Sequence, residues 1–150
     1  MSDMKFDHIG LAETSKHWPS LQDEDRPPQR FRGHFMRQQL DSITACNKHD
    51  PFLGPFQYGG TASLSTGNLT GRKTASGKDP SGLGIWRWKI FTGQGKALLR
   101  IATLYRPVPP EQGTGPGSVY SQYLTYFNST NRIIFPRQGF LDDTKEEVYK

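Results

Sequence analysis

Glycine and proline recur along the whole chain, and this property limits the fold more than any other. The sequence has 16 glycines and 11 prolines among 150 residues, and only 33% of its residues are hydrophobic. That apolar fraction is low for a globular domain, so the core is expected to be modest and the loops long. The length suits a single domain spanning residues 1–150.

The net charge is the second constraint. It is +5 at pH 7, with a sequence pI of about 9.4. Because basic surfaces attract phosphates over long range, DNA or RNA is an expected partner, although a basic surface can also serve solubility alone. The candidate nucleic-acid-binding residues are Arg30, Arg32, Arg37, Arg87 and Lys89.

Cysteine usage and hydropathy bear on the compartment. Cys46 is the only cysteine, which excludes an internal disulfide and a zinc-finger spacing. The N-terminus has no apolar signal core, and no apolar run approaches the roughly 20 residues that a membrane helix needs. These features predict an intracellular protein, cytoplasmic or nuclear, with no membrane partner.

Local patterns predict a mixed α/β layered domain with a largely antiparallel sheet. The predicted strands lie at residues 6–11, 58–66, 85–92 and 97–105, and residues 67–84 read as a long loop. An amphipathic helix is expected over residues 30–48, because apolar residues recur there at helical spacing. Two further helices are expected to begin after Ser118 and at Pro136.

Three stretches together resemble a known family. They are residues 7–18, which include the Leu-x-Glu-Thr sequence ending at Thr14, residues 58–86, and residues 100–107 followed by 118–122 and 136–143. In order and spacing they resemble the metal-dependent endonuclease/exonuclease/phosphatase superfamily, especially the endonuclease domains of non-LTR retroelement reverse transcriptases. The resemblance implies half of a four-layer α/β sandwich, with flanking helices.

The resemblance also implies a site. Glu13 matches the family glutamate that binds a divalent metal, usually Mg²⁺, beside the scissile phosphate. Tyr105 and Arg106 match the positions that approach the substrate phosphate. The alternatives from the residues alone are a solvated acid at a strand end for Glu13, a core aromatic for Tyr105 and a solvated cation for Arg106.

Other motifs of the family are not found in residues 1–150, namely the opening strand with its asparagine, the Gly-Asp-x-Asn segment and the Ser-Asp-His segment. The expectation is therefore a fragment truncated at both ends. It would be a Mg²⁺-dependent phosphodiesterase or endonuclease-like domain that is weak or inactive alone, unless a second polypeptide supplies the missing groups. The alternatives are a non-catalytic basic nucleic-acid-binding remnant and a fragment without function.

Overall fold

Two three-stranded sheets and four helices make up the described part of the chain. The computed structural model describes residues 6–35, 38–49, 54, 56–109 and 117–149. The strands are β1 (His8–Ala12), β2 (Leu40–Ala45), β3 (Thr61–Thr66), β4 (Lys73–Lys78), β5 (Trp86–Thr92) and β6 (Leu98–Leu104). The helices are α1 (Pro27–Arg32), α2 (Gly67–Thr70), α3 (Val119–Ser129) and α4 (Pro136–Val148).

The chain divides into two compact units. The N-terminal unit is Met1–Tyr105 and contains both sheets, and the C-terminal unit is Arg106–Lys150 and contains α3 and α4. The first sheet has the strand order β1-β3-β2 and the second has the order β4-β5-β6. Every pair in these orders is antiparallel. The α/β class and the antiparallel character predicted from the sequence are confirmed, whereas the single domain over residues 1–150 stays a prediction.

A polar layer lies between the two sheets. Alternate residues of β5 face the first sheet, and both Arg87 and Lys89 are fully buried there. The Arg87 guanidinium donates to the carbonyl of Ile43 and to the hydroxyl and carbonyl of Thr61. Lys89 Nζ lies 2.8 Å from Asp41 Oδ2. Buried cations are tolerated only when protein oxygens replace their water, as they do here.

This burial corrects the prediction that Arg87 and Lys89 contact nucleic acid. In a strand, alternate side chains point to opposite faces, and the prediction requires the face of β5 that carries Arg87 and Lys89 to lie outward. In the structure this face of β5 is buried instead, because β2 and β3 supply oxygen acceptors for both cations. Burial lowers the pKa of the Arg87 guanidinium to about 9. Because this value is still above 7, the guanidinium is cationic at neutral pH.

The ends of four strands meet at one edge of the N-terminal unit. Ala12 at the end of β1 and Ala45 at the end of β2 both pair with Thr61. Lys78 at the end of β4 pairs with Arg87, next to the start of β5. Arg87 Nε donates to Thr61 Oγ1 over 3.1 Å, which joins the two sheets at this edge. We call this edge of the N-terminal unit the Thr61 end. The segments that follow β1, β2, β4 and β6 all start there.

The helix predicted over residues 30–48 is wrong. Helix α1 ends at Arg32, and the second half of that segment is β2, which pairs with β3 along its whole length. The apolar spacing is compatible with either structure over so short a run, and Ile43 and Thr44 are β-branched, which favours a strand. Pairing with β3 therefore decided the outcome.

Strand β4 lies inside the segment predicted to be a loop. Its residues alternate between partly buried and exposed, and it pairs with β5 at the edge of the second sheet. A Cβ added at Gly77 would lie 2.6 Å from the Trp88 ring, so this glycine is needed where the indole crosses the strand. A polar edge strand with few apolar residues carries little hydrophobic signal, which explains the omission.

The C-terminal unit matches its local signals. Ser118 caps α3 by accepting from the backbone N–H of Ser121 over 3.2 Å, and Pro136 occupies the first turn of α4. Phe127 and Phe140 are buried, and Gly139 packs against the Phe127 ring. None of the helices in the described ranges is long and apolar enough to cross a membrane.

Candidate functional site

Glu13 leaves β1 at the Thr61 end in an uncommon backbone conformation. Its φ is 54° and that of Ser15 is 51°, both in the left-handed region that non-glycine residues seldom adopt. The segment is held by backbone bonds from Thr14 to Gly60 over 3.1 Å and from Ser15 to Gly59 over 2.8 Å. Such strain persists only where the surroundings hold it, and it is concentrated at functional positions. The Glu13 carboxylate is exposed.

Tyr105 follows β6 at the same end. Its backbone N–H donates to the Ile85 carbonyl over 2.7 Å, which fixes the residue beside the start of β5. Burial raises the pKa of the Tyr105 hydroxyl, and the negative charge of Glu13 and a hydrogen bond to that carboxylate raise it further. The family resemblance singled out Glu13 and Tyr105, which are 92 positions apart in the sequence, and the structure brings them to the same end of the N-terminal unit.

Arg106, the third member of the predicted catalytic set, belongs to the other unit. Arg106 is exposed and is the first residue of the C-terminal unit. Its covalent position directly after Tyr105 is the only relation to the pair that the fold establishes. Its role stays a prediction.

Replacing Glu13 with glutamine is expected to lower the pKa of Tyr105. The substitution removes the negative charge that disfavours the phenolate, while the burial of the ring is kept. An NMR pH titration of tyrosine labelled with ¹³C at Cζ measures the shift, and Tyr105→Phe assigns the resonance. Glu24→Gln, an exposed acid in a short 3-10 turn, is the matched control and should leave the titration unchanged. An unshifted Tyr105 in Glu13→Gln would mean that the two side chains do not interact in solution.

The donor set at Glu13 determines how it can serve a metal. The described residues contain no group of three or more His, Cys, Asp or Glu side chains that could hold an ion. Glu13 offers one hard oxygen ligand, and Mg²⁺ commonly binds through one or two carboxylates together with water and substrate phosphate. The residues therefore fit an ion that arrives with a phosphate, and they do not form a complete metal site by themselves.

The predicted basic cluster is partly neutralised. Arg30 forms an ion pair with Asp25, and Arg26 NH1 lies 3.2 Å from Asp23 Oδ1. Arg32, at the end of α1, is exposed and can contact a polyanion. Arg37 lies outside the described residues. Of the five predicted nucleic-acid-binding residues, Arg32 is thus the one that the described structure leaves exposed and outside the ion pairs found there.

A cleft at the Thr61 end was missed from the sequence. It has a volume of about 560 Å³, and its walls come from the Trp18–Ser20 turn, the start of α1, the end of β2 and the turn after β4. Lys48 and Lys78 line it, and both are exposed. They are 30 positions apart in the numbering, so no local motif links them; only the strand pairing brings them to one place.

Comparison of the chain with protein-family models, with curated proteins and with solved structures finds no significant match.

Proposed function

We propose that this chain is an endonuclease/exonuclease/phosphatase-like domain that, when alone, cleaves nucleic acid slowly with Mg²⁺. The observation that carries the proposal is that Glu13 and Tyr105 both follow strands that end at the Thr61 end, where the Glu13 carboxylate raises the pKa of the Tyr105 hydroxyl. The resemblance assigned both residues to one phosphodiesterase site, and they meet although they follow different strands of different sheets.

Each residue of the pair has a chemical role in this proposal. The raised pKa of Tyr105 keeps its phenol protonated at neutral pH, so it can donate a hydrogen bond to a phosphate oxygen. Glu13 would be the protein ligand of Mg²⁺, which supplies charge neutralisation at the phosphate when bound. Arg106 would add a cation to the phosphate contacts.

Slow turnover follows from the number of groups supplied. Phosphodiester hydrolysis needs a positioned water, a base and several charge-stabilising groups held together, and their joint placement provides much of the rate enhancement. Glu13 and Tyr105 account for part of such a set. A second polypeptide that completes the site is part of the proposal, as is an intracellular, cytoplasmic or nuclear location, for which the single buried cysteine is the support.

Nicking of supercoiled plasmid in Mg²⁺ tests the proposal. The native chain at high concentration is expected to nick slowly, and Glu13→Gln to lose the activity. Tyr105→Phe is expected to retain about a hundredth or less, the effect of removing one donor that stabilises developing charge. Lys96→Ala, on the hairpin between β5 and β6, is the control and should nick like the native chain.

Two results would contradict the catalytic proposal. One is nicking that survives Glu13→Gln, which would identify a contaminating nuclease or another site. The other is no nicking by a folded native sample. Salt-sensitive binding of the same plasmid by the native chain and by Glu13→Gln in EDTA would then favour the non-catalytic nucleic-acid-binding function, because attraction to phosphates needs no metal.

A further inference from the structure

The cleft at the Thr61 end has a fixed backbone frame. Lys48 N–H donates to the Gly82 carbonyl over 2.8 Å, and His49 Nε2 lies 2.7 Å from the Ser81 carbonyl. These bonds join the segment after β2 to the turn after β4. Gly84 approaches the backbone of Cys46 so closely that a Cβ there would lie 2.5 Å from Cys46 Cα. The two segments that carry the cleft lysines are therefore locked together.

The charges around the cleft are unequally satisfied. Asp79 is buried and accepts from the backbone N–H of Ser81 over 2.8 Å, and Arg26 is paired with Asp23. Lys48 and Lys78 differ, because they make no ion pair within the described ranges. The positive charges of both lysines reach the cleft interior: burial raises the pKa of the Cys46 thiol, and each lysine lowers it in part. The site therefore favours an anion.

One wall of the cleft is apolar and partly aromatic. Trp18, Pro19, Pro27 and Pro28 line it. A ligand with a flat ring suits a wall of this kind.

Position links this cleft to the Glu13–Tyr105 pair. Ala45, next to the cleft residue Cys46, and Ala12, next to Glu13, both pair with Thr61 of β3. The cleft and the pair therefore lie at the same end of the same unit. A cleft of about 560 Å³ is in the usual range for a small ligand, which is about 300–1,000 Å³.

We propose that this cleft binds one nucleotide, with the phosphate on Lys48 and Lys78 and the base against Trp18. The ligand is either a free mononucleotide or a nucleotide unit of a single strand. In the second case the inference rests on the proposed function and extends it, since it assigns the cleft to a nucleotide flanking the scissile phosphate. No contribution from Mg²⁺ is needed for this binding.

Fluorescence anisotropy with a labelled single-stranded DNA dodecamer in EDTA tests the inference. Lys48→Ala and Lys78→Ala are each expected to weaken binding about tenfold, the loss of one charge-assisted hydrogen bond. Each should also lower the slope of log Kd against log salt by about 0.7, the value for one contact to a single-stranded phosphate. Trp18→Ala should weaken binding about tenfold through lost stacking. Lys96→Ala removes the same charge from the opposite end of β5 and should change neither quantity.

Competition with small ligands identifies the source of the nucleotide. AMP is expected to displace the dodecamer, whereas adenosine and inorganic phosphate, which each offer half of the recognised chemistry, should be much weaker. If AMP binds as tightly as the dodecamer and responds to the same substitutions, the ligand is a free mononucleotide; tighter binding of the dodecamer identifies a strand.

The inference is overturned if Lys96→Ala weakens binding as much as the cleft substitutions, if AMP does not compete, or if no saturable binding is found. Trp18→Ala could impair folding, but the two lysines are exposed and carry the test without it. Glu13→Gln should bind the dodecamer normally in EDTA. If nucleotide binding fails but Glu13-dependent nicking is found, only the proposed nucleotide site is contradicted. If the nucleotide binds but no Glu13-dependent nicking is found, only the catalytic proposal is contradicted.

Discussion

Asp41→Ala is expected to lower the free energy of unfolding by about 3–5 kcal/mol, the usual effect of removing one partner from a buried ion pair. Lys89 is fully buried, and its Nζ lies 2.8 Å from Asp41 Oδ2, 3.0 Å from the Asp41 carbonyl and 3.0 Å from Ser65 Oγ. Without the carboxylate, the ammonium would remain in the layer between the sheets with neutral acceptors only. Since stabilities of small domains are about 5–15 kcal/mol, the loss would be a large share of the total.

Urea denaturation at pH 7, followed by circular dichroism, measures this effect. Asp23→Ala is the matched control, because its carboxylate pairs with Arg26 at the surface and the Asp23 side chain is 82% exposed; a change of at most about 1 kcal/mol is expected. The double substitution Asp41→Leu with Lys89→Leu should recover much of the lost stability, since an apolar pair can replace a buried ion pair at little cost. Equal losses in Asp41→Ala and Asp23→Ala would contradict the assigned role of the pair.

The same pair gives the unit an acid-sensitive component. Burial by itself raises the pKa of the Asp41 carboxyl, but hydrogen bonds from Lys73 and Lys89 lower it to below the ordinary value of 3.8. A carboxyl whose pKa is lower in the folded state stabilises the fold at pH values above its unfolded pKa. That stabilisation is lost as the pH falls through the folded pKa. The difference in unfolding free energy between the native chain and Asp41→Ala should therefore shrink in strong acid.

Gly84→Ala is the second substitution with a large expected effect. Gly84 has a φ of 76°, and alanine in the left-handed region costs about 1–2 kcal/mol. The new Cβ would also lie 2.5 Å from both Cα and the carbonyl carbon of Cys46, and relieving an overlap in a packed region costs about 1–3 kcal/mol more. Backbone atoms cannot turn away as a side chain can, so the segment after β2 must move.

Gly95→Ala separates these two contributions. Gly95 lies in the hairpin turn between β5 and β6 with a φ of 64°, and a Cβ there would meet nothing within 4 Å. It should lose only the conformational part, about 1–2 kcal/mol, in the same urea experiment. The overlap at Gly84 predicts a larger loss than at Gly95, together with weaker dodecamer binding, because Gly84 and Cys46 both line the cleft. A loss no larger than that of Gly95→Ala would show that the approach at Cys46 is loose.

The sequence by itself determined those elements whose signals lie within a few residues. Ser118 and Pro136 mark the starts of α3 and α4, because a cap and a first-turn proline act on the adjacent backbone alone. Short apolar runs likewise located β1 and β6, and with them the positions of Glu13 and Tyr105 at strand ends. The effect of Glu13 on the pKa of Tyr105 could not be predicted from local patterns, since it depends on how the two sheets meet.

Only the tertiary structure decided which face of a strand is buried and which weak segments become strands. Residues 40–45 have a spacing that fits a helix, and pairing with β3 made them β2. Arg87 and Lys89 resemble surface cations in the sequence, yet oxygens of Ile43, Thr61, Asp41 and Ser65 surround them inside. A strand has two faces of equal geometry, so the sheet packed against it determines which one is buried. The cleft between Lys48 and Lys78 arises in the same way, from strand ends that pairing alone brings together.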